Sequence, residues 1–401
     1  MRRRRRDGTV AWRAARGRVI TAAAGLAVTG TLAACSSASS SAPATPAGPA
    51  GVSMATSVST GADSWAVLPM SAHPAFWEVF VRPANTAAWK LVTPPGVADN
   101  GGLVVSANGA SSLAVAVRPS QDLVFSPLAA TADGGASWSA GPPLEAAVAA
   151  SPDAFAAHGA QLVALLTDGA VETSGDAGAT WSVIAAPSAI AASAAGKGCG
   201  GAVRVTSVSF GLVTVDPDTT DVLAGGTCGT GGAAALFAYS PGGGWQRVSL
   251  PVAGQLVRMS GGLALVRGKS GLSALWRGFG WYAYAPQSSG STPQPAPTGW
   301  SAPAALPASG PVIASGMLAP GGMWVLLAGG RAATIAGPGQ QWTLLPPVPA
   351  GTTVLAAGPD GATDALAARG TTLTVWRLAP KATVWQKTEA MSVPVQAGSS
   401  G

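Results

Sequence analysis

The chain is poor in the side chains that most active sites use. Its 401 residues include only 2 His, 3 Cys and 3 Tyr, and charged residues make up 10% of the total. No Cys-x-x-Cys pair occurs, so the sequence offers no ligand set for a structural zinc site. We therefore expect neither a metal nor another cofactor. With 54 Gly and 32 Pro, long helices are excluded from most of the chain, which favours an all-β fold.

The excess of positive charge is confined to the N-terminus. The net charge is +6, but eight of the 23 basic residues precede Val19. From Cys35 onward, 15 basic residues face 16 acidic residues. An assignment to nucleic-acid binding from the overall basicity therefore fails, and we expect no nucleic-acid partner.

The first 34 residues have the organisation of an export signal. An Arg-rich start is followed by Val19–Leu32, which carries no charge and is shorter than the roughly 20 residues of a membrane span. The next segment, Leu32-Ala-Ala-Cys35, resembles the lipobox of bacterial lipoproteins. The resemblance implies that residues 1–34 are a signal peptide and that Cys35 is lipidated and becomes the new N-terminus. The alternative is an ordinary secretory signal with a chance Cys.

The residues after the lipobox predict a tether. Residues 35–51 are mostly Ser, Ala, Pro and Gly, which bury little and favour a flexible segment. A diacylglycerol on Cys35 would supply two chains, enough for stable anchoring. We therefore expect the protein at the cell membrane, on the extracytoplasmic face, with a body at 52–397 and a disordered tail at 398–401.

The two remaining cysteines form an even pair. Outside the cytoplasm, a disulfide between Cys199 and Cys228 is the default expectation. It would close a loop with 28 residues between the two Cys, which in the chain-entropy model is worth about 3–4 kcal/mol.

One eight-residue pattern occurs twice, 43 residues apart, at Thr131–Trp138 and Ser174–Trp181. Its physical logic is that of a tight hairpin between two strands. The Asp accepts bonds from backbone N–H groups two or three residues on, and the Gly permits a positive φ. The second hydroxyl bonds the Asp, and the Trp begins the next strand with a large ring that can cover the joint. The residues with these structural roles are Thr131, Asp133, Gly135, Ser137 and Trp138 in the first copy, and Ser174, Asp176, Gly178, Thr180 and Trp181 in the second.

Both copies resemble the Asp-box, or BNR repeat, of sialidase-like β-propellers. The resemblance implies a propeller of four-stranded blades, in which the box Asp is a folding device and not a catalytic group. In that family the boxes lie away from the active site.

A wider repeat covers the whole body. Seven times a Trp ends a turn and is followed by a short apolar stretch and Pro, at intervals of 49, 43, 64, 55, 42 and 43 residues. A four-stranded blade takes about 40–50 residues. We predict a seven-bladed β-propeller over residues 52–397, with six or eight blades as alternatives and an array of β-sandwich domains as the competing architecture. The seven marks are Trp89, Trp138, Trp181, Trp245, Trp300, Trp342 and Trp385.

Catalytic signals are weak. The sialidase resemblance would imply three arginines for a substrate carboxylate, a Tyr–Glu nucleophile pair and an acid/base Asp. No Tyr–Glu pair can be assigned among the three Tyr and four Glu, and Phe80-Val-Arg82-Pro83 displaces the Arg of the related family motif by one residue. In a strand, that shift turns the side chain to the other face.

The remaining candidates are an aromatic cluster and two isolated features. Trp276, Arg277, Trp281, Tyr282 and Tyr284 could stack on a sugar or a peptide, with interblade core packing as the alternative. We assign His158 to a polar surface turn. The acidic run at 216–221 lacks EF-hand spacing and is assigned to a hairpin turn.

The sequence therefore predicts a lipid-anchored, extracytoplasmic binding propeller without catalysis, acting as a monomer on an envelope protein or a glycan. The alternatives are a sialidase-like glycoside hydrolase and a structural envelope spacer. Acidic residues and arginines converging at the central funnel would favour the enzyme, and an uncharged apolar funnel would favour binding. Photosystem assembly-factor-like propellers carry the same repeats without being enzymes.

Overall fold

The computed structural model describes residues 55–59, 63–70, 77–94, 100–107, 111–119, 126–144, 152–200, 202–211, 221–260, 263–277, 299–318 and 321–394. The predicted signal peptide, Cys35, the tether and the tail at 398–401 lie outside these residues, as do 216–220 of the acidic run.

The structure is a seven-bladed β-propeller, as the Trp repeat predicts. Each blade is a four-stranded antiparallel meander of consecutive strands. Blade 1 contains β1 (Thr56–Ser59), β2 (Ser64–Pro69), β3 (Trp77–Arg82) and β4 (Lys90–Leu91). Blade 2 contains β5 (Asn100–Ala107), β6 (Leu113–Pro119), β7 (Ser126–Thr131) and β8 (Ser139–Leu144). Blade 3 contains β9 (Pro152–His158), β10 (Gln161–Leu166), β11 (Val171–Ser174) and β12 (Ser182–Ala185).

The other four blades repeat this order. Blade 4 contains β13 (Val203–Gly211), β14 (Asp221–Cys228), β15 (Ala233–Ser240) and β16 (Gly244–Val248). Blade 5 contains β17 (Gln255–Ser260), β18 (Leu263–Gly268), β19 (Gly271–Trp276) and β20 (Ala304–Ala305). Blade 6 contains β21 (Val312–Leu318), β22 (Gly322–Leu327), β23 (Arg331–Ile335) and β24 (Thr343–Leu344). Blade 7 contains β25 (Val354–Ala357), β26 (Thr363–Arg369), β27 (Thr372–Leu378) and β28 (Gln386–Ser392).

Helices are few, as the Gly and Pro content predicts. Two four-residue helices, α1 (Ala189–Ala192) and α2 (Ala194–Lys197), lie between blades 3 and 4. Within the described part of the chain, no helix has the length and apolar character needed to cross a bilayer.

The core lies between the blades. The second strand of each blade is buried over most of its described length, and β22 is buried throughout and reads as a continuous apolar run. Leu265 of blade 5 packs in one cluster with Val325 of blade 6. Leu128 of blade 2 packs with Leu162 of blade 3. Each fully buried side chain of this size contributes about 1.5–3 kcal/mol.

The tryptophan marks open the fourth strands. Trp89, Trp138, Trp181, Trp342 and Trp385 directly precede the fourth strand of their blade, Trp245 is the second residue of β16, and Trp300 lies four residues before β20. Trp300 also forms an isolated bridge with Arg277 at the end of β19. The choice of Trp300 as the fifth mark therefore places the blade where the structure has it.

The disulfide between Cys199 and Cys228 is confirmed, with Cα atoms 4.9 Å apart. It joins the end of β14 to the segment that carries α1 and α2. The long interval between the third and fourth Trp marks is thus an insertion tied to its own blade.

Candidate binding site

The first strands of six blades surround a central cavity of about 240 Å³. Its wall is made by β1, β5, β9, β13, β17 and β21. Every blade begins with its first strand and has an even number of antiparallel strands, so the first strands all run the same way through the ring. One mouth of the cavity therefore lies at their C-terminal ends, where Ser59, Ala107, His158 and Ser260 are the last residues of their strands.

The cavity wall is apolar and hydroxyl-bearing. Apolar residues such as Val58, Leu103 and Phe155 alternate with Ser and Thr residues. Three titratable side chains, Asp153, His158 and Arg258, occur among the described lining residues, which include no Tyr and no Glu. Among the described lining residues there are neither paired carboxylates nor the Tyr–Glu pair that glycoside hydrolysis uses.

Arg258 is a charged side chain of the cavity that has one hydrogen bond and no ion pair among the described residues. It lies on β17 beside a β-bulge, and its Nη1 donates to the carbonyl of Ser315 on β21 at 2.8 Å. Its Nε is shielded from solvent and has no hydrogen-bond partner among the described residues, and the same is true of the Ser315 hydroxyl. Burial lowers the pKa of Arg258 to about 10.

His158 lies at the rim of the cavity and not in an unrelated surface turn. It ends β9, is exposed, and its ring centroid is 6.3 Å from that of Phe210 on β13. The turn begins one residue later, at Gly159.

The one tyrosine and the three glutamates within the described residues lie on third or fourth strands, at Tyr239, Glu78, Glu172 and Glu389. Tyr239 on β15 stacks against Trp245 with ring centroids 5.3 Å apart. Glu78 on β3 is buried and accepts a bond from Thr93, and burial raises its pKa. Burial, followed by the charge of Asp168, raises the pKa of Glu172 on β11. These positions do not bring a Tyr–Glu pair to the cavity.

Arg82, the residue that echoes the sialidase motif, closes the ring. Its Nε and Nη2 donate to the carbonyl of Ala357 in blade 7 at 3.3 and 3.0 Å, and its Nη2 also reaches Ser64. The guanidinium is therefore used in joining blade 1 to blade 7.

A second cavity of about 230 Å³ lies toward the other end of the first strands. Asp153 and Thr206 line both cavities, and the second is also lined by the start of β13 and by residues of α1. The disulfide holds this helical insertion at the blade. No group of three His, Cys, Asp or Glu side chains positioned to hold a metal occurs within the described ranges.

The two repeat loops, Thr131–Trp138 and Ser174–Trp181, join the third and fourth strands of blades 2 and 3. In each loop the Asp Oδ1 accepts from the backbone N–H four residues on, at 2.9 Å for Asp133 and 2.8 Å for Asp176. We expected a partner two or three residues on. The wider reach arises because the first hydroxyl takes the N–H of the loop Gly, at Gly135 and Gly178.

These hydrogen bonds lower the pKa of both Asp133 and Asp176 to about 2, chiefly through Ser137 and Thr180. The loop glycines have φ of +82° and +93°. A Cβ on Gly135 would lie 2.7 Å from Cβ of Val92 in the preceding blade. The glycine is therefore required both by its backbone angle and by close interblade contact.

The proposed aromatic platform is divided. Trp276 is 5% exposed, and its Nε1 donates to the carbonyl of Gly321 at 2.8 Å, so the ring packs between blades 5 and 6. Arg277 lies over the ring of Trp300, 5.9 Å from its centroid. Trp281, Tyr282 and Tyr284 lie outside the described residues.

Sequence reasoning did not single out Arg258. The segment Gln255-Leu-Val-Arg258 reads as an ordinary strand, and nothing local indicates that its Arg faces the axis of the ring. The bulge after Leu256, which shifts the strand register before Arg258, has no signal in the residue types.

The comparisons with known proteins find similar solved structures at low sequence identity. No family model matches the chain, and no curated protein matches it. Among solved structures, YCF48 bound to D1 peptide is similar at 15% identity, with 82% of this chain and 94% of that chain covered and a TM-score of 0.47. The GH74 xyloglucanase from Xanthomonas campestris is similar at 14% identity, with 84% and 54% covered and a TM-score of 0.47. The SapL1 lectin in complex with alpha methyl fucoside is similar at 11% identity, with 85% and 96% covered and a TM-score of 0.40.

Proposed function

We propose that this protein is a non-catalytic binding propeller, held at the extracytoplasmic face of the membrane by a lipid on Cys35, and that its ligand occupies the central cavity. The observation that carries the proposal is the composition of the cavity wall. Six first strands present apolar and hydroxyl side chains there, and Asp153, His158 and Arg258 are the titratable groups among the described lining residues. A rigid pocket of this composition suits recognition, since it supplies shape and hydrogen bonds without an acid–base pair.

The repeat loops support membership of the Asp-box class of propellers. Their Asp, Gly, hydroxyl and Trp residues serve the loop itself: both carboxylates are bonded within their own turns. Each carboxylate accepts three hydrogen bonds from its own turn, and this role in holding the loop favours a structural function over substrate chemistry. The proposed membrane location rests on the lipobox sequence at 32–35 and on the tether sequence that follows it.

The binding role is tested with the purified full chain and a panel of short peptides, oligosaccharides, small organic acids and amides. Ligand-induced stabilisation is measured by thermal melting, and turnover is measured with fluorogenic glycosides that include a sialoside. We expect stabilisation by at least one class and no turnover. Hydrolysis that survives rigorous purification would overturn the proposal in favour of a glycosidase.

A cavity-blocking variant connects binding to the pocket. Ser260→Phe places a ring at the C-terminal mouth, whereas Ser249→Phe places the same ring on an exposed segment after β16. We expect only Ser260→Phe to lose ligand stabilisation.

Labelling of expressing cells with radioactive palmitate tests lipid anchoring. The label is expected on the wild type and absent from Cys35→Ser.

A further inference from the structure

We infer that the central cavity recognises a small ligand through a carboxylate, and that Arg258 is the residue that binds it. This inference rests on the proposed binding function and adds the chemical class of the ligand. It begins from the surroundings of Arg258, which makes no ion pair with Asp153, the carboxylate among the described lining residues. Arg258 makes no ion pair with a described residue. The residue is half-buried and its Nε is shielded from solvent, and proteins normally compensate a cation that loses solvent with a counterion.

The bonding of the guanidinium leaves one edge open. Nη1 is taken by the carbonyl of Ser315, which also accepts from the hydroxyl of Thr56 at 2.9 Å. Nε and Nη2 donate to no described residue. These two nitrogens form the side-on edge of the group, whose parallel N–H bonds match the two oxygens of a carboxylate.

The backbone holds this edge in place. Ser315 lies in the middle of β21 and Thr56 begins β1, so the carbonyl that anchors Nη1 belongs to a junction of two first strands. Because that carbonyl is fixed by the sheet, the guanidinium has little rotational freedom. A pre-positioned donor pair loses less entropy on binding than a free side chain.

The rest of the wall indicates the body of the ligand. Val105, Phe155 and Val208 contribute apolar surface, and the backbone N–H of Ala157 already bonds the Ser106 hydroxyl, which leaves the Ser106 proton free to donate. The cavity, at about 240 Å³, is smaller than most ligand pockets, which run from roughly 300 to 1,000 Å³. A short apolar acid fits this combination better than a highly charged anion.

The test uses benzoate and butanoate as probes, benzamide and butanamide as uncharged isosteres, and inorganic phosphate as a non-carboxylate anion. Affinity for the purified full chain is measured by titration calorimetry. We expect the acids to bind at least tenfold more tightly than the amides. Arg258→Met should weaken acid binding at least ten- to hundredfold, because the charge and both parallel N–H bonds to the carboxylate are lost. Arg258→Lys should weaken acid binding by less, because the positive charge remains although the paired N–H donors of the guanidinium are lost.

Arg267→Met is the matched control. Arg267 lies on β18 of the same blade. Its Nη2 also donates to a backbone carbonyl, that of Gly310 just before blade 6, at 3.3 Å. It does not line the cavity, so its loss should leave acid binding unchanged. Circular dichroism and the melting temperature establish that each variant is folded, and Arg258→Lys provides a second readout where Arg258→Met is poorly folded.

Each outcome separates this inference from the binding function. Equal binding of acids and amides, or full acid binding by Arg258→Met, would overturn the inference while the binding role stands. Phosphate binding tighter than either acid would overturn the choice of a carboxylate. If no probe binds the wild type, the inference fails, and the wider ligand panel decides the binding function separately.

Discussion

The indole Nε1 of Trp89 in blade 1 donates to Oδ2 of Asp364 in blade 7 at 3.0 Å, across 275 positions of sequence. The same carboxylate accepts from Nε and Nη2 of Arg377 at 2.7 and 2.8 Å. Asp364 is fully buried. Among the described residues, no strand of blade 1 pairs with a strand of blade 7, and side-chain bonds of this kind join the two blades.

Asp364→Ala is expected to lower the free energy of unfolding by about 3–5 kcal/mol, because it leaves Arg377 without its buried partner. Trp89→Phe should cost less, about 1.5–3 kcal/mol, because it removes one bond to a charged acceptor. Urea denaturation measures both. Arg369→Ala, an exposed change at the end of the same strand as Asp364, is the control and should be neutral within about 0.5 kcal/mol. An Asp364→Ala variant as stable as the control would show that closure does not depend on this carboxylate.

Four of the fourth-strand tryptophans, Trp245, Trp300, Trp342 and Trp385, donate their indole N–H to a backbone carbonyl of the preceding blade or of the segment that follows it. Trp342 donates to the carbonyl of Ala304 in blade 5 at 2.9 Å. Trp342→Phe keeps the ring and removes the donor, so it should destabilise the fold by about 1–3 kcal/mol.

Trp138→Phe is the matched control for this bond. Trp138 occupies the same place in blade 2, but its Nε1 has no hydrogen bond to a described residue. We expect its replacement to change the melting temperature by little. Equal losses for the two variants would mean that ring packing, and not the indole bond, is what matters at these positions.

Removing the disulfide should lower stability by about 3–4 kcal/mol, because the loop it closes becomes free in the unfolded chain. The measurement is the melting temperature of Cys199→Ala/Cys228→Ala against the wild type, with and without a reducing agent. Reductant should shift the wild type toward the double variant and leave the double variant unchanged. A reductant effect of equal size on both proteins would contradict the assignment.

The sequence predicts those features of the fold that depend on residues close to each other in the chain. Trp marks, Gly turns and the two repeat loops lie within a few residues of each other, so the blade count and the fourth strands follow from spacing. Ring closure does not, because Trp89, Asp364 and Arg377 meet only after the chain has gone once around the ring. None of these three residues carries a local mark of its partner.

The candidate site was less predictable for a related reason. Any strand residue can face the axis, the neighbouring blade or solvent. The β-bulge in β17 shifts the register before Arg258, which changes the direction in which its side chain points. Trp276 was selected for its aromatic neighbours, yet its ring lies in interblade packing. Arg258 has no distinctive neighbours and lies in the cavity.

The repeat loops should give the protein a stability that depends on pH in the acid range. Asp176 has a folded pKa of about 2 against an ordinary value of 3.8. Its contribution is therefore present above about pH 4 and is lost as the pH falls toward 2, because the protonated acid accepts the Thr180 bonds poorly. Asp176→Asn should melt at a lower temperature than the wild type at pH 6, and the difference should shrink between pH 4 and pH 2. Thr180→Val, which removes the hydroxyl donor, should reduce this pH dependence, whereas Thr180→Ser should preserve it. A wild-type advantage over Asp176→Asn that is constant from pH 6 to pH 2 would show that the carboxylate charge does not stabilise the loop.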